Sequence, residues 1–214
     1  MENRNFSFLD TLIINADQAI RTLVGKPLAT ERPNPTDPLP ETELSAQEQD
    51  LSARLMRVNH AGEVAAQALY QGQAITARLT DVRSAMERAA REENDHLVWC
   101  QQRITELDSH VSYANPLWYA GSFAIGAAAG LAGDKWSLGF VVETERQVTE
   151  HLDTHLHQLS LNDTRSRAII EQMKTDEQNH GETAKTAGGA ELPGMIKSMM
   201  KMTSKIMTSV AYRF

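Results

Sequence analysis

From Ala46 onward, apolar residues return every three or four positions along the chain, with acids, amides and lysines between them. That spacing marks helices that each bury one stripe. It predicts helices over about 46–76, 79–109, 116–130, 134–160, 163–188 and 191–212, while strand-like alternation is almost absent. Ser45 and Glu48 stand three apart ahead of the first of these, the spacing of a capping box. Upstream, residues 1–26 read as a short amphipathic helix. Residues 27–44 read as a proline-rich linker, because 27–40 holds five of the seven prolines and cannot be helix interior. Residues 45–214 then form one all-α domain, with four helices long enough for an antiparallel bundle.

Four of the buried stripes are interrupted by ligand-type residues. Leu138, Glu145, Leu152 and Leu159 fall at heptad spacing, flanked by Val141 and Val148, whereas Glu143 lies off that stripe. Ile169, Met173, Glu177, His180 and Ala184 share a face, as do Met86, Ala89, Glu93, His96 and Cys100. Met56, Asn59, Glu63, Ala66 and Tyr70 make the fourth. Glu93/His96 and Glu177/His180 are thus two E-x-x-H pairs, each presenting its ligands side by side. Glu63 precedes Glu93 by 30 residues and Glu145 precedes Glu177 by 32, so the chain repeats one hairpin design.

Any one of these residues alone reads as part of a solvated helix face. Together, on inward faces and at matched intervals, they form the ligand set of a ferritin-like, carboxylate-bridged di-iron bundle. Four unpartnered carboxylates in a core are untenable without cations, and two divalent ions would neutralise them. Oxygen-rich ligation with two imidazoles suits iron or manganese. Ligating histidines usually give their second N–H to a carboxylate, which assigns Asp176 to His96 and Glu92 to His180 from across the bundle. Asn59 and His151 fall near the same site by spacing.

Composition narrows the remaining choices. A net charge of −7 argues against nucleic-acid binding. Cys100 is the single cysteine, which rules out a disulfide framework, a thiolate metal site and an attached rubredoxin-type module. No dinucleotide fingerprint or P-loop is present, so electrons must arrive from outside the chain. Residues 111–133 carry no charge, but seven are Ala and four are Gly. They read as a short helix lining an apolar channel or lying at a membrane interface, or as a helix packed tightly in the bundle, rather than as a span. The C-terminal helix places Lys197, Lys201 and Lys205 on one face, with Ile196, Met199, Met200, Met207 and Val210 on much of the rest. A basic amphipathic helix of this kind can lie on anionic lipid; the alternative is an extra core helix with a solvated lysine face.

The segments "RVNHAGEVAAQALYQGQ" (57–73), "EENDH" (92–96), "NPLWYAGSFAIGAAAGLAGDKW" (115–136) and "DEQNH" (176–180) resemble the demethoxyubiquinone hydroxylase family of ubiquinone biosynthesis. The resemblance covers roughly 45–214 and leaves the proline-rich segment outside it. It implies a flavin-independent monooxygenase that uses O₂ to hydroxylate the ring of a prenylated demethoxyubiquinol. Glu63, Glu93, His96, Glu145, Glu177 and His180 would hold two ferrous ions, with Glu93 and Glu177 bridging. His151 matches a family histidine six residues after a ligand glutamate and would act in catalysis without binding metal. The family often carries Asp where this chain has Asn59.

The implied partners are a polyprenyl quinol, O₂, an external reductant or reductase, a membrane surface and other ubiquinone-biosynthesis proteins. The missing presequence would place the chain peripherally on the cytoplasmic side of a bacterial cell membrane. The rival classes are a ferritin-like iron-storage or ferroxidase protein and a membrane-bound helical adaptor.

Overall fold

The computed structural model describes residues 8–24, 29–30 and 32–214. Among these the architecture is all-helical: α1 (Phe8–Val24), α2 (Ala46–Thr76), α3 (Thr80–Glu106), α4 (Asn115–Leu131), α5 (Asp134–Gln158), α6 (Thr164–Thr186) and α7 (Gly194–Ala211). The last six lie within a few residues of the spans that periodicity predicts. Residues 1–7 and 25–26 of the expected N-terminal helix fall outside the described residues.

Local chemistry sets the ends. The Glu48 backbone donates to Ser45 Oγ at 3.3 Å and the Ser45 backbone donates to Glu48 Oε2 at 2.8 Å, a complete capping box. Asp163 caps α6 by accepting from the Ser166 backbone at 3.0 Å. Between α4 and α5, Gly133 turns the chain with φ 114°, a conformation that side chains resist.

Helices α2, α3, α5 and α6 form the ferritin-like four-helix bundle, and α4 is the crossover that lets it close. After α3 has run back along α2, α4 returns parallel to α2, so that α5 descends antiparallel to α2. The α2–α5 contacts run from Gln73 on Ser137 at one end to Asn59 on His155 at the other. α3 and α6 are likewise antiparallel, from Arg103 on Asp163 to His180 on Glu92. Met56, Cys100, Ile104, Leu152, Ile169 and Met173 fill one half of the interior; Tyr70, Met86, Leu138 and Val141 fill the other. A polar layer separates the two halves.

The Gly/Ala-rich segment becomes α4, pressed against α2. A Cβ at Gly126 would lie 2.1 Å from the Leu69 carbonyl oxygen, and one at Gly72 would lie 2.3 Å from the Phe123 carbonyl. Small residues therefore serve tight packing on one side of α4, while Leu117, Ile125 and Leu131 stay exposed on the other. No helix among the described residues is long and apolar enough to cross a membrane.

The proline-rich segment departs from a free linker. Its described part is irregular but docked: Asn34 donates to Gln102 at 2.6 Å, Arg165 donates to Thr36 at 3.3 Å, and Thr36 is buried. The segment is a strap across α3 and α6.

Candidate metal centre

The polar layer consists of the six residues that interrupt the helical stripes. Glu63 comes from α2, Glu93 and His96 from α3, Glu145 from α5, and Glu177 and His180 from α6. They fall into two groups, Glu63/Glu93/His96/Glu177 and Glu93/Glu145/Glu177/His180, each offering one ligand atom per residue within 4.8 Å of the others. Glu93 and Glu177 belong to both groups, the placement a bridging carboxylate requires. All six are buried except His180, which is half-buried.

Both imidazoles point the same nitrogen inward. His96 Nδ1 lies 3.1 Å from Glu93 Oε2, 3.1 Å from Glu177 Oε1 and 3.4 Å from Glu63 Oε2. His180 Nδ1 lies 3.1 Å from Glu177 Oε2 and 3.3 Å from Glu93 Oε1. The other nitrogens face acids across the α3–α6 seam: His96 Nε2 sits 2.9 Å from Asp176 and His180 Nε2 sits 2.6 Å from Glu92. A carboxylate behind Nε2 holds that nitrogen as the N–H, so Nδ1 is the nitrogen that would give its lone pair to a metal in place of its proton. Tyr70, fully buried on α2, donates its hydroxyl to Glu145.

The electrostatics divide the four glutamates into pairs. Burial, reinforced for Glu63 by the charge of Glu93 and for Glu145 by that of Glu177, pushes both carboxyls well above the usual range. Burial also raises Glu93, but hydrogen bonds from His180 and His96 outweigh it and hold that carboxyl below its ordinary value. Glu177 goes the same way, its burial and the nearby Glu93 charge overcome by His180 and His96. The imidazoles rise in turn. Against burial, Asp176 and the glutamates lift His96, and Glu177 and Glu93 lift His180 to about 12.

The donor set fits two divalent cations. Glu63 Oε2 and Glu93 Oε1 are buried with an imidazole Nδ1 at 3.4 Å and 3.3 Å respectively but no well-aligned hydrogen bond. Without metal the cluster balances its charge only by keeping protons on Glu63, Glu145 and both imidazoles; two divalent ions would replace those protons, offset four carboxylates and leave neutral imidazoles as ligands. Hard oxygen donors with two nitrogens match iron or manganese.

Other sequence-nominated residues take different places. Glu143 is buried yet tied to Arg146 at 2.6 Å and Gln147 at 2.7 Å, away from the cluster. His151 stands apart from the six and lines an apolar cavity of about 530 Å³ between α2, α4, α5 and α7. Glu63 sits on the same wall, so this cavity reaches the polar layer. His151 Nε2 is buried without a partner, and burial lowers the imidazole to about 4, so it is neutral near pH 7. Its ring centroid lies 3.9 Å from that of His155, whose Nδ1 donates to Asn59 Oδ1 at 2.8 Å. The His155–Asn59 bond went unforeseen, although one helical turn from His151 to His155 was a usable signal.

Comparison with known proteins follows the same line. The family described as "Ubiquinone biosynthesis protein COQ7" matches residues 50–211. A 3-demethoxyubiquinol 3-hydroxylase of Nitrosococcus oceani is 62% identical over 212 residues, covering 99% of both chains. One from Nitrosomonas eutropha is 58% identical over 204 residues, covering 95% of this chain and 98% of its own. One from Legionella pneumophila (strain Paris) is 56% identical over 210 residues, covering 98% and 99%. The alignment with the Nitrosococcus oceani relative covers nearly the whole chain and so takes in the proline-rich segment, which lies outside both the family match and the resemblance read from the motifs.

Proposed function

We propose, from the premise that this chain belongs to the COQ7 family of ubiquinone biosynthesis proteins, that it is a 3-demethoxyubiquinol 3-hydroxylase working through two carboxylate-bridged iron ions. The observation that carries this reading is the pair of ligand groups sharing Glu93 and Glu177 inside the bundle. Glu63 and His96 would complete one iron position, and Glu145 and His180 the other. Bound there, reduced iron would supply the activation of O₂ for insertion of one oxygen atom into the quinol ring.

The residues of the chain supply placement. The cavity walls are almost entirely apolar and meet the ligand set at Glu63, so a quinol ring seated there lies beside the iron ligands with water excluded. His151 is neutral, and its Nε2 can accept or donate one hydrogen bond on that wall. Such a bond would orient a quinol oxygen, a positioning task rather than metal ligation. Asp176 and Glu92 keep both imidazoles in the tautomer that metal binding needs.

The isoprenoid tail has a route outward. Leu117 and Ile125 of α4 and Ile196, Met199, Met200 and Met207 of α7 line the outer part of the cavity. Met195, Met199, Met202 and Ile206 leave α7 with an exposed apolar face beside the exposed Lys201 and Lys205. An exposed apolar patch with lysines at its edge suits peripheral docking on an anionic membrane, where a polyprenyl quinol resides. Electrons would come from a separate reductant or through the quinol itself.

The test is anaerobic iron loading and reduction, addition of demethoxyubiquinol, then ¹⁸O₂ and mass analysis of the quinone. The expected product carries one labelled oxygen per ring. Product without label, or no product from fully iron-loaded protein, would overturn the reading.

A further inference from the structure

The two iron positions have unequal surroundings. Behind His180, the Glu92 side chain is 44% exposed, and no Lys or Arg among the described residues forms an ion pair with it, although Arg32 is near enough to feel its charge more weakly than those of Asp176 and Asp95. A small cavity of about 170 Å³ borders both residues. Behind His96 the setting is closed. Asp176 Oδ2, the atom facing His96 Nε2 at 2.9 Å, also accepts from Arg32 Nη2 at 2.6 Å. Its second oxygen accepts from Gln172 at 2.9 Å.

Arg32 belongs to the strap and reaches this point from outside the bundle. Its Nε lies 3.1 Å from Asp95 Oδ2, and its guanidinium rests 4.8 Å from the centre of the Trp99 ring. That indole in turn lies 5.4 Å from the His96 ring. Asp95 is held a second time, by the Thr30 backbone N–H at 2.7 Å. One guanidinium thus joins the carboxylate behind His96 to that of its chain neighbour Asp95, and its planar fork can serve both.

We propose that Arg32 is a positioning residue of the metal centre: by joining Asp176 to Asp95 it locks His96 and makes the iron position it serves the tighter of the two. Without Arg32, Asp95 and Asp176 would be neighbouring acids with no cation between them, and their repulsion would move Asp176, the less enclosed of the pair. His96 would then lose the acceptor that orients it. Outer partners of this kind typically change metal affinity by about 10–100-fold. The strap thereby becomes a working part of the metal site. The inference rests on the di-iron reading above.

Calorimetric titration of the metal-free full-length chain with Fe²⁺ under argon tests it, alongside melting curves of the metal-free protein. In the wild type two unequal binding steps are expected. Arg32→Gln should weaken the tighter step roughly tenfold and leave the other within about twofold. Arg32→Lys should fall between, since an ammonium can serve one acid but not both. Glu92→Ala should weaken the other step, and the double variant should weaken both. Thr30→Val removes only the hydroxyl contact to Asp95; it should lower the melting temperature while leaving both steps in place. Equal loss of both steps in Arg32→Gln, no loss in either, or the same selective loss in Thr30→Val would overturn the inference. A wild-type chain that binds no Fe²⁺ would instead overturn the di-iron reading.

Discussion

The six clustered carboxylate and imidazole residues look out on two unlike faces of the bundle. Toward the strap, α3 and α6 each supply a glutamate and a histidine, and every imidazole is backed by an acid on the opposite helix. Toward α4 and α7, α2 and α5 each supply a lone glutamate, and Glu63 borders an almost wholly apolar cavity. The same helical geometry therefore gives a stiff side and a receptive side. Charge follows the division: Glu93 and Glu177 sit below their ordinary values through the histidines, whereas burial carries Glu63 and Glu145 above theirs. Carboxylates that two imidazoles pin suit bridging, and a carboxylate on a cavity wall can adjust when a substrate enters. Positional precision and access are assigned to opposite pairs of helices.

The largest expected effect breaks the stiff side. Glu177 belongs to both ligand groups, so Glu177→Ala should remove metal from both positions and abolish the hydroxylated product. Iron content and product mass check this together. A variant that keeps full iron and turnover would take Glu177 out of the site.

Next is the wall behind the receptive side. Gly126→Ala puts a methyl against the Leu69 backbone and should cost about 2 kcal/mol or more in denaturant unfolding. Gly121 lies on the same helix with nothing within 4 Å of an added Cβ, so Gly121→Ala should be neutral or stabilising by up to about 1 kcal/mol. Equal effects would contradict the close α2–α4 packing that shapes the cavity.

A smaller change separates orientation from ligation. His151→Ala should lower turnover roughly tenfold, the worth of one hydrogen bond to substrate, with iron content unchanged. Parallel loss of iron would make His151 part of the metal centre. The smallest effect falls on the outer face: Lys205→Ala should weaken binding to phosphatidylserine-containing vesicles by about 1 kcal/mol, read by co-sedimentation. Unchanged binding would contradict docking through the lysine face of α7.

Much of the stiff side could be read in the sequence. Helical periodicity carries a residue's inward or outward direction, so Glu63, Glu93, Glu145 and Glu177 stood out as acids in apolar stripes, and Glu143 as one that did not fit. The outer acids Glu92 and Asp176 were legible for the same reason: each precedes a glutamate of the cluster by one position and turns toward the neighbouring helix. Contacts that join distant segments without periodicity were not legible. Arg32 lies 144 residues from Asp176, in a proline-rich stretch whose composition says only that it is not helix. The seating of α4 was equally hidden, because glycine and alanine suit both a tight helix contact and a weakly apolar surface. His155 on Asn59 depends on where α2 and α5 meet along their length, which helical phase alone does not fix.

The sharing of Glu93 and Glu177 between two metal positions is best tested by X-ray absorption at the iron edge, on full-length protein loaded with Fe²⁺ under argon and accompanied by a metal count. Two irons per chain, a first shell of oxygen and nitrogen without sulfur, and a resolved iron–iron scattering path are the predicted result. A single iron per chain, or two with no iron–iron path, would contradict it.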